Sequence, residues 1–347
     1  MSLIRTEAAF GSRIVLTHAD SPIGRRLVKS LYHDPSVERI VALGPGPPPS
    51  VFDRFLSSDE RRLTYSRIDL ARHRSMATFF NSSLLKEARI DSMLYVPAHG
   101  WPTASVPPLA GGLVSQTAEA RLVLKHALEL RSLENLICLG SALVYRLSPG
   151  NSNLFTESSE LDLAPDTSPE IRCWVNADMI FQGEFQNPGL RVVLLRLPSV
   201  VGTGGKVYFN PMLAGILKSR IRSMGFDPIC ALVSDKDVVR AMQLALHSTA
   251  RGVFNIAGFE TVPLSVFGRW IGEPSVPLPR ALISLASRMS SFVGRAPAPT
   301  STSSPHLHYG FTLDTQRARL ELGFEPGYRI APGPMVDGRF QLEAAPV

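Results

Sequence analysis

The stretch Arg13–Val28, RIVLTHADSPIGRRLV, holds the residues whose types and spacing point most directly to chemistry. A short β-branched run leads into a tight polar loop, and a helix opens around Gly24. That is the outline of a turn that seats a pyrophosphate, because unpaired N–H groups and the dipole at a helix N-terminus attract negative charge. Loop glycines let the backbone turn sharply and come close to the phosphates. Here two of the three positions that want glycine are His18 and Ser21, and only Gly24 remains. A β-carbon at each narrows the approach, although the Ser21 hydroxyl can replace a backbone contact. Asp20 brings a carboxylate that repels phosphate, and Arg25 and Arg26 can offset it. The same residues also fit a plain helix start, with Ser21 or Asp20 as the cap and nothing bound.

Other chemistry-bearing groups are weaker. Asp235 and Asp237 in VSDKDVV look like paired carboxylates, yet their place before an amphipathic run fits the start of a helix. His306 and His308 in PHLHYG would share one face of a strand, but no Cys, Asp or Glu nearby completes a metal shell, so no metal is expected. Cys138, Cys173 and Cys230 have neither metal nor redox spacing, and no disulfide framework is implied.

The elements that must position these residues alternate between short β-rich runs and helical segments. RIVLT, VERIVALG, LTYSRIDL, SMLYVPA and NLICLGS read as five strands. SPIGRRLVKSLYH, with Ile23, Leu27 and Leu31 on one face, and SQTAEARLVLKHALELRS read as helices between them. LRVVLLRL and DPICALVS add strands, followed by the helix DVVRAMQLALHS and the strand GVFNIAG. The expectation is an α/β fold, a Rossmann-like doubly wound parallel sheet with a smaller C-terminal α/β substrate lobe. Residues 11–199 with about 226–258 would form the large domain. About 200–225 with 259–330 would form the small lobe, and 331–347 a flexible tail. GPGPPPS, from Gly44 to Ser50, interrupts both kinds of element and marks a rigid loop. PRALISLASRMSSFVG, with Arg280 and Arg288, reads as a helix packed on the small lobe, with a membrane-surface helix as the alternative.

The 347 residues are 44% hydrophobic and 19% charged, which excludes a disordered chain. The net charge of +6 comes from scattered arginines rather than one basic arm, so no nucleic-acid partner is expected. No apolar run approaches the roughly 20 residues that span a bilayer, and the first residues lack the apolar middle of a secretory signal. An integral membrane segment is not expected, and the location expected is cytoplasmic.

From Arg13 to about Tyr328 the ordered landmarks resemble the extended short-chain dehydrogenases/reductases, the NAD-dependent epimerase/dehydratase group. They are the strand, loop and helix at 13–28, Asp69-Leu70, LYVPA at 94–98, GSALVY at 140–145, LRLPSVVG at 195–202, VSDKDVVRAM, GVFNIAG and the closing YGFTLDTQRARLELGFEP. The resemblance implies NAD or NADP held by His18, Ser21, Pro22, Ile23, Gly24, Arg25, Asp69, Leu70, Pro97, Ala98 and Pro198. Asp69 and Leu70 would lie against the adenine, though they fit an ordinary strand end as well. The acid that normally bonds the adenosine ribose falls at Gly44, so NAD and NADP are not distinguished. A nucleotide or nucleotide-sugar ligand and a homodimer are further implications.

The resemblance also sets a catalytic test. Such enzymes use a Ser or Thr, a Tyr that moves a proton at the substrate oxygen, and a Lys that lowers the tyrosine pKa. Ser141 fits the serine position. The Tyr-x-x-x-Lys pair falls on WVNAD, with Trp174 for the tyrosine and Asp178 for the lysine. An indole N–H only donates, and an aspartate reverses the charge. No Tyr or Lys occurs between Arg146 and Gly205, so no other register restores the pair. Tyr145 lacks a lysine neighbour in sequence, and His99 is the remaining candidate base. The expected function is therefore a degenerate member that has lost hydride transfer and serves as a nucleotide-binding sensor, scaffold or regulatory protein. The alternative is an active NAD(P)-dependent epimerase, dehydratase or reductase with a replaced acid/base.

Overall fold

The computed structural model describes residues 13–58, 62–98, 112–150, 152–202, 206–208, 210, 213, 217, 220–279, 282, 309–336 and 339–346. His99, His306, His308 and nearly all of the PRALISLASRMSSFVG segment lie outside them. The first half alternates as the hydrophobic pattern predicts. Strand β1 (Arg13–Leu16) leads to helix α1 (Pro22–Tyr32), β2 (Arg39–Gly44), α2 (Asp53–Leu56) and β3 (Leu63–Arg67). Then come α3 (His73–Phe80), α4 (Ser83–Ala88), β4 (Ser92–Tyr95), α5 (Gly112–Glu129), β5 (Asn135–Ser141) and α6 (Pro169–Gln182).

Among the described residues, seven parallel strands form the central sheet in the order Gly252–Asn255, Arg191–Leu197, β5, β4, β1, β2, β3. Strand side chains alternate between faces. Ile14, Leu16, Ile40, Ala42, Leu94 and Val96 enter one core with Ile23, Leu27 and Leu31 of α1 and with the helix Asp235–His247. Val15, Val41, Met93, Tyr95, Leu136 and Cys138 enter the other, against α3, α4 and α5. Burial of each such aliphatic side chain contributes about 1.5–3 kcal/mol. The order places the split between β1 and β4, where the chain reverses its direction of winding and ligands enter doubly wound sheets.

At Pro198 the chain leaves the central sheet; proline has no N–H to extend a ladder. Ser199–Gly202 joins a separate four-stranded sheet, ordered Thr261–Pro263, Ile229–Ser234, Ser199–Gly202, Lys206–Tyr208. The strand in DPICALVS, expected within the large domain, thus pairs in the second sheet. A buried apolar run carries no mark of which sheet it joins. The second difference is at the C-terminus. The expected flexible tail at 331–347 instead carries an antiparallel pair, Tyr328–Val336 with Arg339–Pro346. Its two prolines near a register shift hide the alternation that marks a strand.

Candidate functional site

The β1–α1 turn is built around Ser21. Its side-chain oxygen accepts from the Gly24 N–H at 3.0 Å, its carbonyl accepts from Arg25 N–H at 2.9 Å, and Pro22 starts the helix. Gly24 is required by space, since a Cβ there would lie 2.2 Å from the His18 carbonyl oxygen. Ser21 itself has no exposed surface, one N–H of the helix start is consumed by the cap, and Pro22 has none. Arg25 is exposed, and its Nε donates to the Asp20 carbonyl at 2.8 Å. Arg26 is turned elsewhere and pairs with Asp235 at 2.8 Å. Of the two arginines expected to offset the Asp20 charge, Arg26 is engaged with Asp235 and Arg25 with the Asp20 carbonyl.

His18 adopts φ 43°, the left-handed region that glycine favours. It is 4% exposed, and Nε2 lies 3.0 Å from Oε1 of Glu119 on α5, which is 1% exposed. Burial opposes the charged imidazole, but the Glu119 carboxylate, with Asp20 and Asp69 beyond it, outweighs burial and raises the His18 pKa. Tyr95 is buried beside the same Glu119, and Gln116, one turn before Glu119 on α5, is buried as well. Burial first, then the Glu119 charge, holds the Tyr95 phenol well above its ordinary range, so it remains protonated. Thr17 locks the ends of β1 and β4 together, its hydroxyl donating to the Val96 carbonyl and accepting from Val96 N–H, both at 2.9 Å.

The other predicted contacts line the same edge. Leu70 is 1% exposed, whereas Asp69 is exposed and pairs with Arg72 at 2.9 Å. Pro97 and Pro198 are buried at strand ends, and Ala98 is partly exposed. Asp20 is expected to set a negative charge against a phosphate at the helix start. Its carboxylate turns to the end of β2, where Oδ1 stands 2.8 Å from the position a Gly44 Cβ would occupy.

The proposed catalytic positions sit in a sealed part of the fold. Ser141 ends β5 with no exposed surface, and its hydroxyl accepts from Leu143 N–H at 3.2 Å, capping a short 3-10 turn. Trp174 and Asp178, one helical turn apart on α6, are each 2% exposed. Asp178 is gripped by Arg196 through two parallel bonds, Nε to Oδ2 and Nη2 to Oδ1, both 2.8 Å. Arg196 Nη1 also donates to the Tyr145 hydroxyl at 2.9 Å, and that hydroxyl donates to Asn255 Oδ1 at 2.6 Å. Burial raises the Tyr145 pKa despite Arg196 and Asn255. The phenol thus bridges Arg196 and Asn255 in the core.

Arg196, Asn255, Glu119, Gln116 and Tyr95 were missed by sequence reasoning. For Arg196 a signal exists: the apolar run LRVVLLRL carries two arginines, Arg191 and Arg196, and each is a charge that must be paired if the strand is central. Asp235 and Asp237 do begin a helix. Ser234 Oγ accepts from Asp237 N–H at 3.0 Å, and Asp237 Oδ1 accepts from Gly327 N–H at 2.7 Å. No group of residues suited to hold a metal ion occurs among the described residues, and none of their helices is long and apolar enough to cross a membrane.

No protein-family model matches the chain. It is 26% identical over 332 residues to uncharacterized proteins of Mycobacterium tuberculosis strain H37Rv and Mycobacterium bovis, covering 90% of this chain and 80% of theirs. Solved structures share its architecture at lower identity. UDP-glucuronic acid 4-epimerase from Bacillus cereus in complex with NAD is 17% identical, with TM-score 0.58 over 90% of this chain and 93% of that one. UDP-glucose 4-epimerase from Thermotoga maritima with UDP-glucose is 15% identical, with TM-score 0.62 over 90% and 93%. dTDP-glucose 4,6-dehydratase from Bacillus anthracis in complex with NAD is 14% identical, with TM-score 0.60 over 91% of each. In architecture, therefore, this chain has the Rossmann-like fold of these epimerases and this dehydratase.

Proposed function

We propose that the protein binds an NAD-type dinucleotide at the β1–α1 turn but has lost hydride transfer, and that it works as a nucleotide-binding sensor, scaffold or regulatory protein. The observation that carries this reading is the buried pair of Asp178 and Arg196. The helix position assigned to the ammonium holds a carboxylate, and that carboxylate is already neutralised inside the core.

The turn itself fits the adenosine and pyrophosphate half of such a cofactor. Gly24 permits the close turn, the Ser21 cap fixes the helix start, and exposed Arg25 lies beside the loop. When bound, the cofactor would supply a hydride acceptor. The Tyr-x-x-x-Lys pair that would relay the proton is missing from α6, where Trp174 and Asp178 stand instead. Neighbouring structures solved with NAD and with UDP-glucose support a nucleotide or nucleotide-sugar ligand. A homodimer and a cytoplasmic location belong to the same reading.

The test is a pair of measurements. Titration with NADH by fluorescence should saturate below about 100 μM, roughly −5.5 kcal/mol. Incubation of NAD or NADP with nucleotide sugars and small carbonyl compounds should give no turnover. Robust turnover abolished by Ser141→Ala would overturn the reading in favour of an active epimerase, dehydratase or reductase with a different acid/base. The NAD-bound and UDP-glucose-bound neighbours favour that second reading, and His99 is its candidate base.

A further inference from the structure

Dinucleotide folds commonly hold the adenosine ribose with an acid at the end of the second strand. In this chain that position is Gly44, and the structure explains why no side chain stands there. A Cβ on Gly44 would fall 2.3 Å from the Tyr65 hydroxyl and 2.8 Å from Asp20 Oδ1. The space in front of β2 is thus occupied by a carboxylate, delivered from the β1–α1 loop instead of from β2.

Three features hold the carboxylate there. Ala19 N–H donates to the Leu43 carbonyl at 2.8 Å and fixes the loop to the end of β2. Arg25 Nε clamps the Asp20 carbonyl. Tyr65 donates to the Gly46 carbonyl at 3.0 Å and closes the far side. Burial first, then the Asp20 charge, pushes the Tyr65 pKa to about 12, with Arg67 and Arg25 opposing, so the hydroxyl keeps its proton.

Asp20 Oδ1 is buried with no hydrogen-bond partner, while the residue as a whole is only partly buried. A buried acceptor without a donor is costly and calls for an explanation. The other oxygen, Oδ2, lies 3.7 Å from the position of a Gly46 Cβ on a partly exposed residue, and a sugar diol beside Gly44 and Gly46 is the kind of donor this carboxylate can accept from. Arg67, also at this edge, is engaged through Nε with the Pro45 carbonyl at 3.0 Å.

We propose that Asp20 is the ribose-binding acid of this protein, holding the vicinal hydroxyls of an adenosine ribose and discriminating against a 2′-phosphate by charge. The inference rests on the dinucleotide-binding reading above. It specifies NAD rather than NADP, a choice the residue at position 44 leaves open.

The experiment compares NAD and NADP by isothermal titration calorimetry on the full chain and on Asp20→Asn and Asp20→Ser, with thermal unfolding to verify the fold of each. The wild-type protein should bind NAD at least about tenfold more tightly than NADP. Both variants should lose about tenfold in NAD affinity, and the gap to NADP should narrow to about threefold or less. Two results would overturn Asp20 while leaving the dinucleotide reading intact: unchanged NAD affinity in folded variants, or a wild-type preference for NADP through Arg25 and Arg67. Failure of the wild-type chain to bind either dinucleotide would overturn both.

Discussion

Two aspartates at opposite ends of the sheet's binding edge are treated differently by the chain. Asp178 has both carboxylate oxygens bonded to one guanidinium, whereas Asp20 keeps one buried oxygen without a donor. The first is an internal strut whose chemistry is finished when folding is finished. The second is held in place by backbone contacts and has bonding capacity left over. The difference separates structural carboxylates from candidate ligand-binding ones more sharply than residue type or position on a motif does.

The largest test of this contrast removes one member of the strut. Asp178→Ala or Arg196→Met leaves a lone charge in the core and should cost about 3–5 kcal/mol in urea unfolding. The double variant should recover most of that loss, because apolar replacement of a whole buried pair is often neutral. If the single variants were nearly silent, the α6 end of the cleft would be more hydrated than its burial indicates, and the contrast with Asp20 would fail.

A smaller effect is expected at the open end. Gly24→Ala forces a Cβ to within 2.2 Å of the His18 carbonyl, which should cost about 1–3 kcal/mol in thermal unfolding and should abolish NADH binding measured by fluorescence. The smallest effect is a slope with pH. The folded His18 pKa is raised above the ordinary 6.5, so its stabilisation is complete below that value and is lost as pH rises through the raised one. The melting temperature should therefore decline as pH rises from 6.5 through the raised value, and Glu119→Gln should flatten the decline.

Much of the fold was legible in the sequence because it rests on period alone. Apolar runs such as RIVL, RIVALG and NLICLGS became neighbouring parallel strands, and the Ser21, Pro22 and Gly24 spacing became a capped helix start. What was not legible depends on partners distant in the chain. The Asp20 carboxylate turns to β2 because Ala19 is tied to Leu43. Likewise, His18 tolerates its backbone angle beside Glu119, 101 residues away. The absence of a Tyr-x-x-x-Lys pair could be read directly; that Asp178 is neutralised rather than exposed could not, since the sequence does not say which strand faces α6.

The bidentate strut also limits how this sequence can drift. Either residue alone is an ion stranded in hydrocarbon, so acceptable change at position 178 waits on change at position 196, and the reverse. Two sites 18 residues apart are in effect a single heritable character. Descendants of this chain should keep both or replace both.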